Sequence, residues 1–434
     1  MHLLNVILPK PKWKKLFLLV FLIPIIGCVN SMEPPPEGSI VITPNEWTAP
    51  DSGGTSPQIQ ISSSFDPIQL EWRIEVDSPW LMVLKDSGVT PGAFMVIAES
   101  NMTEIDRSGR IKVIVENLPD SIHYLDVFQP HRSGIFWLGE YNSPGSTEGM
   151  HTEGNYIYIS GWGEGLQIVD ITEPASPFIV SWYPPQGASF EIFKAGEYVY
   201  MPALMFDTYR FAFQIFDVSN VLKPVLKTIV STGGVPAYIW ADSKNAYIAD
   251  ARAGLLIYNV QDVSNPELVA EYGPGSINRV FCVRVTGNYA YVGSSNEFRI
   301  LDVSEPSNPQ QISIVNTPHA VEDIFLHENR AYMAFSQAGI KIYNVADPEN
   351  PVFLGDCTDI GNVYRVFVEG DYLYVADRAR NGGVHVLDIS DPAKVHPVAH
   401  YTRGVDARTR DVLVRDKIIF MGDSYGLHVL KFIP

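Results

Sequence analysis

Cysteine is scarce in this chain, and positive charge is the minority sign. Thirty-one Lys and Arg stand against 49 Asp and Glu. That balance argues against nucleic acid, whose phosphates need basic neutralisation. No long like-charge or low-complexity run suggests extended disorder. No Walker loop, G-x-S-x-G elbow, H-E-x-x-H or C-x-x-C pattern occurs, so the short signatures of common catalytic classes are missing. The one prominent apolar run, "LFLLVFLIPII" at Leu16–Ile26, has eleven residues, against the roughly 20 a membrane-spanning helix needs. What is abundant is hydrophobic content, 46%, together with 33 Gly and 32 Pro. Such a chain can bury a core, and its many turn-formers favour short strands over long helices.

Lys10, Lys12, Lys14 and Lys15 precede the apolar run, and Gly27-Cys28 follows it. Basic segment, apolar segment and small residue read as a secretory leader over residues 1–27. The residues "IIGC" resemble the bacterial lipobox. That resemblance implies lipidation of Cys28 and anchoring in the bacterial cell envelope at the outer membrane, either periplasmic or surface-exposed. Residues 28–36 would form a tether stiffened by Pro34 to Pro36. Removing the leader takes away four lysines and no acid, so net charge moves from −18 to −22. Anionic lipid then gains no electrostatic attraction, and the acyl chains must do the anchoring. Cys282 and Cys357 remain, read as two buried thiols rather than a disulfide or metal pair.

The rest of the chain repeats itself. "GNYIYIS", "GEYVYMP", "NAYIAD", "GNYAYVG", "NRAYMAF", "GDYLYVAD" and "KIIFMGD" open seven units. Their anchor aromatics are Tyr158, Tyr200, Tyr247, Tyr291, Tyr332, Tyr374 and Phe420, spaced 42, 47, 44, 41, 42 and 46 residues apart. A period near forty with strand-type alternation marks the four-stranded blades of a β-propeller. Each unit continues with a strand ending in Asp170, Asp217, Asn259, Asp302, Asn344 or Asp388, with Lys431 in the last copy. Acids distributed around a ring cannot converge on one reacting atom, and the Asx position reads as a turn former.

The last copy, "LHVLKFIP", lacks an outer strand, and a spare one, "SGIFWLGEY" at 133–141, precedes the first unit. The expectation is an all-β chain in which 131–434 forms a seven-bladed β-propeller closed by a one-plus-three blade, removing free edges. "LQIVDITEPASP" and "FRILDVSEPSNP", each followed by a hydrophobic strand and G-x-Y-x-Y, resemble LVIVD repeats. Those repeats imply a propeller scaffold of bacterial secreted and surface proteins, and little about activity.

Residues 37–130 carry no copy of the repeat. Short alternating stretches such as "GSIVITP", "LEWRIEV" and "GRIKVIVEN", separated by turn residues, predict a small immunoglobulin-like β-sandwich with Trp72 and Trp80 as core anchors. "SPWLMVLKDSG", "AESNMTEIDRSGRIKV" and "VFQ" resemble the BACON domain of Bacteroidota envelope proteins. The resemblance implies either sugar binding or a spacer that lifts the propeller off the membrane.

Candidate site residues lie on the propeller's loop face. After second strands come Trp162 and Glu164, then Met205, Phe206, Tyr209 and Arg210, then Arg252, Arg378, Arg380 and Tyr425. On entering loops, Glu191, Asp323, Arg365 and Asp411 each stand nine residues before an anchor aromatic, which predicts that they surround one channel mouth. Mixed acids, arginines and aromatics suit a polar ligand such as a glycan. No metal pair, cofactor motif or catalytic residue is assigned. The expected function is a non-catalytic envelope-anchored binding protein for a glycan or protein partner, with no nucleic acid. The alternatives are a polysaccharide hydrolase or lyase using the channel acids, or a scaffold subunit of an envelope complex.

Overall fold

A computed structural model describes residues 39–434 except 66–68, 117–120, 274–276, 278 and 405. Cys28, the leader and the tether lie outside the described residues. The described residues contain no helix; they form small, almost wholly antiparallel sheets. Two compact units divide between Ser133 and Gly134.

In the first unit a five-stranded sheet runs Glu46–Thr48, Ile122–Gln129, Arg107–Val115, Glu71–Val76, Ser87–Val89. Two three-stranded sheets accompany it, and strand alternation sends Ile59, Ile61, Trp72, Val96, Ile111, Val113, Leu125 and Val127 into one core. Trp72 and Trp80 are both buried there. The Asn-x-Thr, Arg-Ser-Gly and Gln residues of the sequence motif form a hydrogen-bonded knot. Gln129 donates to the carbonyls of Pro50 and Glu99 and accepts from Arg107 Nε at 2.8 Å. Thr103 Oγ1 donates to Asn101 Oδ1 at 2.6 Å. These residues satisfy backbone carbonyls where the chain turns.

Among the described residues, the second unit forms seven sheets. Sheet one holds Thr147–Glu153, Tyr156–Gly161, Gly165–Asp170 and Phe178–Tyr183. The pattern repeats with first strands at Gly187–Ser189 with Phe193–Ala195, then Pro236–Ala241, Cys282–Thr286, Asp323–His327, Val363–Glu369 and Asp411–Arg415. Sheet seven is completed by Gly134–Tyr141, which pairs with Gly426–Ile433. The anchor aromatics sit mid-strand and buried, because each sheet is covered by a neighbour on both faces.

Apolar clusters join each sheet to the next: one to two, two to three, three through five, five to six, six to seven. A further cluster joins Phe420, Leu427 and Val429 of sheet seven to Met150, Ile157 and Ile159 of sheet one. Outer strands need small residues where the next sheet's turn crosses them. Ser181 and Ser313 donate to the carbonyls of Val221 and Pro348 at 2.5 and 2.6 Å, and a Cβ at Gly139 would strike the Ala175 carbonyl. The repeated Asx residues cap turns throughout: Asp170, Asp217, Asn259, Asp302, Asn344 and Asp388 each accept from the backbone N–H two residues on. Cys282 is buried and Cys357 only half-buried, and both thiols are free.

Candidate functional site

The register of the first strands builds a two-tier site. Nine residues before each anchor aromatic stand Gly149, Glu191, Tyr238, Cys282, Asp323, Arg365 and Asp411, and all seven are buried. Two residues further on stand His151, Phe193, Trp240, Arg284, Phe325, Phe367 and Leu413, and all seven are half-buried. Strand alternation by two keeps both tiers on one face. Most of them line one cavity of about 310 Å³, to which the first-strand region of every sheet contributes.

Two of the tier's acids tie sheets together. Asp411 Oδ2 accepts from Met150 N at 2.7 Å, from sheet seven to sheet one. Asp323 Oδ2 accepts from Val366 N at 3.1 Å, from sheet five to sheet six. Glu191 of sheet two instead pairs with Arg365 of sheet six, both within 5% of full burial. Tyr238 lies between two guanidinium groups, with Arg284 4.8 Å and Arg365 5.0 Å from its ring centroid. Burial raises the Glu191 carboxyl against the pull of Arg365. Burial, then the charge of Glu191, pushes Asp411 well above the usual carboxylate range. Burial opposes charge on Arg365 too, but Glu191, Tyr364 and Asp323 outweigh it and hold the guanidinium charged. Burial, then Arg284 and Lys194, pushes His151 down to about 4.

Exposure grows along each strand away from the polar tier. Thr147 pairs with Gly161 beside the Trp162 loop, whereas Glu153 pairs with Tyr156 at the opposite end. The cavity therefore opens toward the tight turns between first and second strands. Glu191, Asp323, Arg365 and Asp411 come together as their spacing predicts, but as a buried diaphragm rather than a solvent-facing mouth.

The remaining candidates sit on the loop face. Trp162 is 54% exposed and packs 5.5 Å from Phe190, which lies 6.3 Å from Phe211. Phe206 and Tyr209 are exposed nearby in sequence, with Tyr209 in a left-handed conformation at φ 53°. Met205 is instead buried against Ala203 and Ala212. Arg378 stacks on Tyr364 at 3.9 Å, and Arg380 pairs with Asp406. Tyr425 stacks under Arg403 at 4.9 Å. Glu164 gives its carbonyl to Trp182 Nε1. Arg210 and Arg252 are exposed and line no part of the cavity. The sequence reading missed Tyr238, Arg284, His151 and the ring of phenylalanines. Applying the nine-residue register to all seven copies, and not only to charged ones, would have found the first; a second count at seven would have found the rest.

With this geometry in place, comparison with known proteins adds one family. The LVIVD repeat model matches residues 144–184, 233–273, 280–317, 319–359 and 360–402. The chain thus contains five LVIVD repeats, and with its all-β sheets they support a β-propeller. Sheets two and seven fall outside the matches; they are the copy with the longest loop and the copy split between the two ends of the unit. No curated protein matches significantly. Among solved structures, a crystal structure of the computationally designed Ika8 protein is similar at 11% identity and TM-score 0.49, covering 78% of this chain and 93% of that one.

Proposed function

We propose that the second unit is a closed seven-bladed propeller and that the protein is a non-catalytic binding protein of the bacterial outer membrane. It is anchored by lipid on Cys28, with the first unit serving as a BACON-like spacer. The loop face recognises a glycan or an envelope protein, and a glycan is the better fit. The carrying observation is the aromatic group of exposed Trp162 with half-buried Phe190 and Phe211, together with exposed Phe206, Tyr209 and Arg210 in the long loop that leads into Phe211. Rings of this kind stack on sugar faces, and neighbouring charged groups bond hydroxyls. Ring closure is supported by the cluster joining sheets seven and one and by the Asp411–Met150 hydrogen bond. A glycan-array and pull-down screen of the full chain tests this reading. Retention by at least one glycan, lost in Trp162→Ala, is the expected result; full retention by that variant would remove the loop-face assignment.

A hydrolase or lyase remains the second reading, favoured by the raised Asp411 carboxyl beside Glu191. Against it, Asp323 and Asp411 are engaged by backbone N–H groups and Glu191 by Arg365. Turnover of an array-positive glycan that disappears in Asp411→Asn would favour it.

A further inference from the structure

The cavity below the diaphragm is lined by a carboxylate one of whose oxygens has an ion-pair contact but no hydrogen bond. Asp323 is 0% exposed and lines the cavity. Its Oδ2 is engaged by Val366 N, but its Oδ1 accepts no hydrogen bond among the described residues. Arg284 Nη2 lies 3.5 Å from that oxygen, in ion-pair range. Arg284 Nε donates to the Ile324 carbonyl at 2.8 Å, which fixes the guanidinium in place. That ion-pair contact is too long to be a good hydrogen bond, and a buried acceptor without one is costly, so a fold usually retains it where something else supplies the donor.

The surroundings narrow what that donor belongs to. An acceptor on Asp323 and a donor fork on Arg284 stand side by side, which matches neighbouring hydroxyls that each give and take hydrogen bonds. Around them the half-buried rings of Phe193, Phe325 and Phe367 offer flat apolar faces; Phe325 and Phe367 lie 4.7 Å apart. Acids and arginines around the cavity nearly balance, Glu191 against Arg365 and Asp323 against Arg284, which disfavours a strongly charged ligand. The cavity's 310 Å³ equals about ten waters at roughly 30 Å³ each, and it sits at the small end of ligand cavities. We infer that this chamber is a second binding site, on the face opposite the Trp162 loop, for a single neutral sugar ring held by Asp323 and Arg284 against the phenylalanine rim. The site is independent of the loop-face reading.

The test uses the full chain with glucose, galactose, mannose and N-acetylglucosamine as probes, followed by saturation-transfer NMR and calorimetry. At least one sugar binds the unaltered protein. Asp323→Asn keeps an acceptor for Val366 N but turns the free oxygen into a donor, and weakens that binding about tenfold or more. Phe367→Leu weakens it less, and Arg110→Ala on the first unit leaves it unchanged. Circular-dichroism spectra matching the parent at the assay temperature show that the fold of the variants is intact. Three results overturn the inference: none of the four sugars binds, Asp323→Asn binds as well as the parent, or Trp162→Ala abolishes binding while Asp323→Asn does not. The last would place the sugar on the loop face and leave the proposed function standing.

Discussion

The two units treat ionic groups in opposite ways. In the first, Arg73 bridges Glu75 and Glu116, Lys112 reaches Glu75, and Arg110 reaches Asp126, all on an open sheet face with side chains 34–61% exposed. In the second, Glu191 and Arg365 meet with side chains 5% exposed, and Asp323 and Arg284 with 1% and 21%. A single sheet packed on one side can always turn its charges to water. Sheets that bring their first strands around one cavity cannot, because residues of equal register face one another. Charge placed there must be matched across the cavity or held by backbone N–H groups, as both oxygens of Asp411 are. Burial of that kind contributes specificity of arrangement more than net stability.

The contrast can be broken by substitution. Arg365→Ala strands Glu191 and should cost the second unit about 3–5 kcal/mol in urea unfolding, as breaking a buried pair does. Arg365→Met, which fills more of the space, still leaves the carboxylate unpaired and should not rescue it. Gly139→Val tests the contact between sheets seven and one, since its side chain would meet the Ala175 carbonyl; a loss of about 1–3 kcal/mol is expected from overpacking. A loss under half a kcal/mol would mean that the outer strands yield freely.

Acid offers a sharper probe. His151 titrates at about 4 in the fold, against about 6.5 unfolded. The unfolded chain therefore takes up the proton first, and stability falls as pH drops from about 6.5 toward 4. His151→Gln should flatten that part of the stability–pH curve while leaving pH 8 stability nearly unchanged. The smallest effect belongs to the first unit. Arg110→Ala removes an exposed pair and should cost about 0.2–1 kcal/mol, fading in high salt.

Much of the scaffold was readable beforehand because it is periodic. The anchor aromatics, the Asx turns and the spare strand at Gly134–Tyr141 each follow a local rule, and the strands formed where alternation placed them. In the first unit the same alternation located the long strands but missed Glu46–Thr48, Gly54–Thr55, Leu81–Val83 and Ser87–Val89, which are too short to show a period. The site was half readable. Register gathered Glu191, Asp323, Arg365 and Asp411, yet whether they met water or one another is no property of register. Arg284 and Tyr238 look in sequence like ordinary strand residues.

The linear order of residues determined that this chain makes strands, where each turns, and which side chains share a face, because those depend on neighbours two to four positions away. Only the folded ensemble of sheets decided that Glu191 would find Arg365, 174 residues distant, and that Asp323 would keep one oxygen without a hydrogen bond. Partners of that separation are chosen by the space left when sheets pack, and such space is written in no single segment.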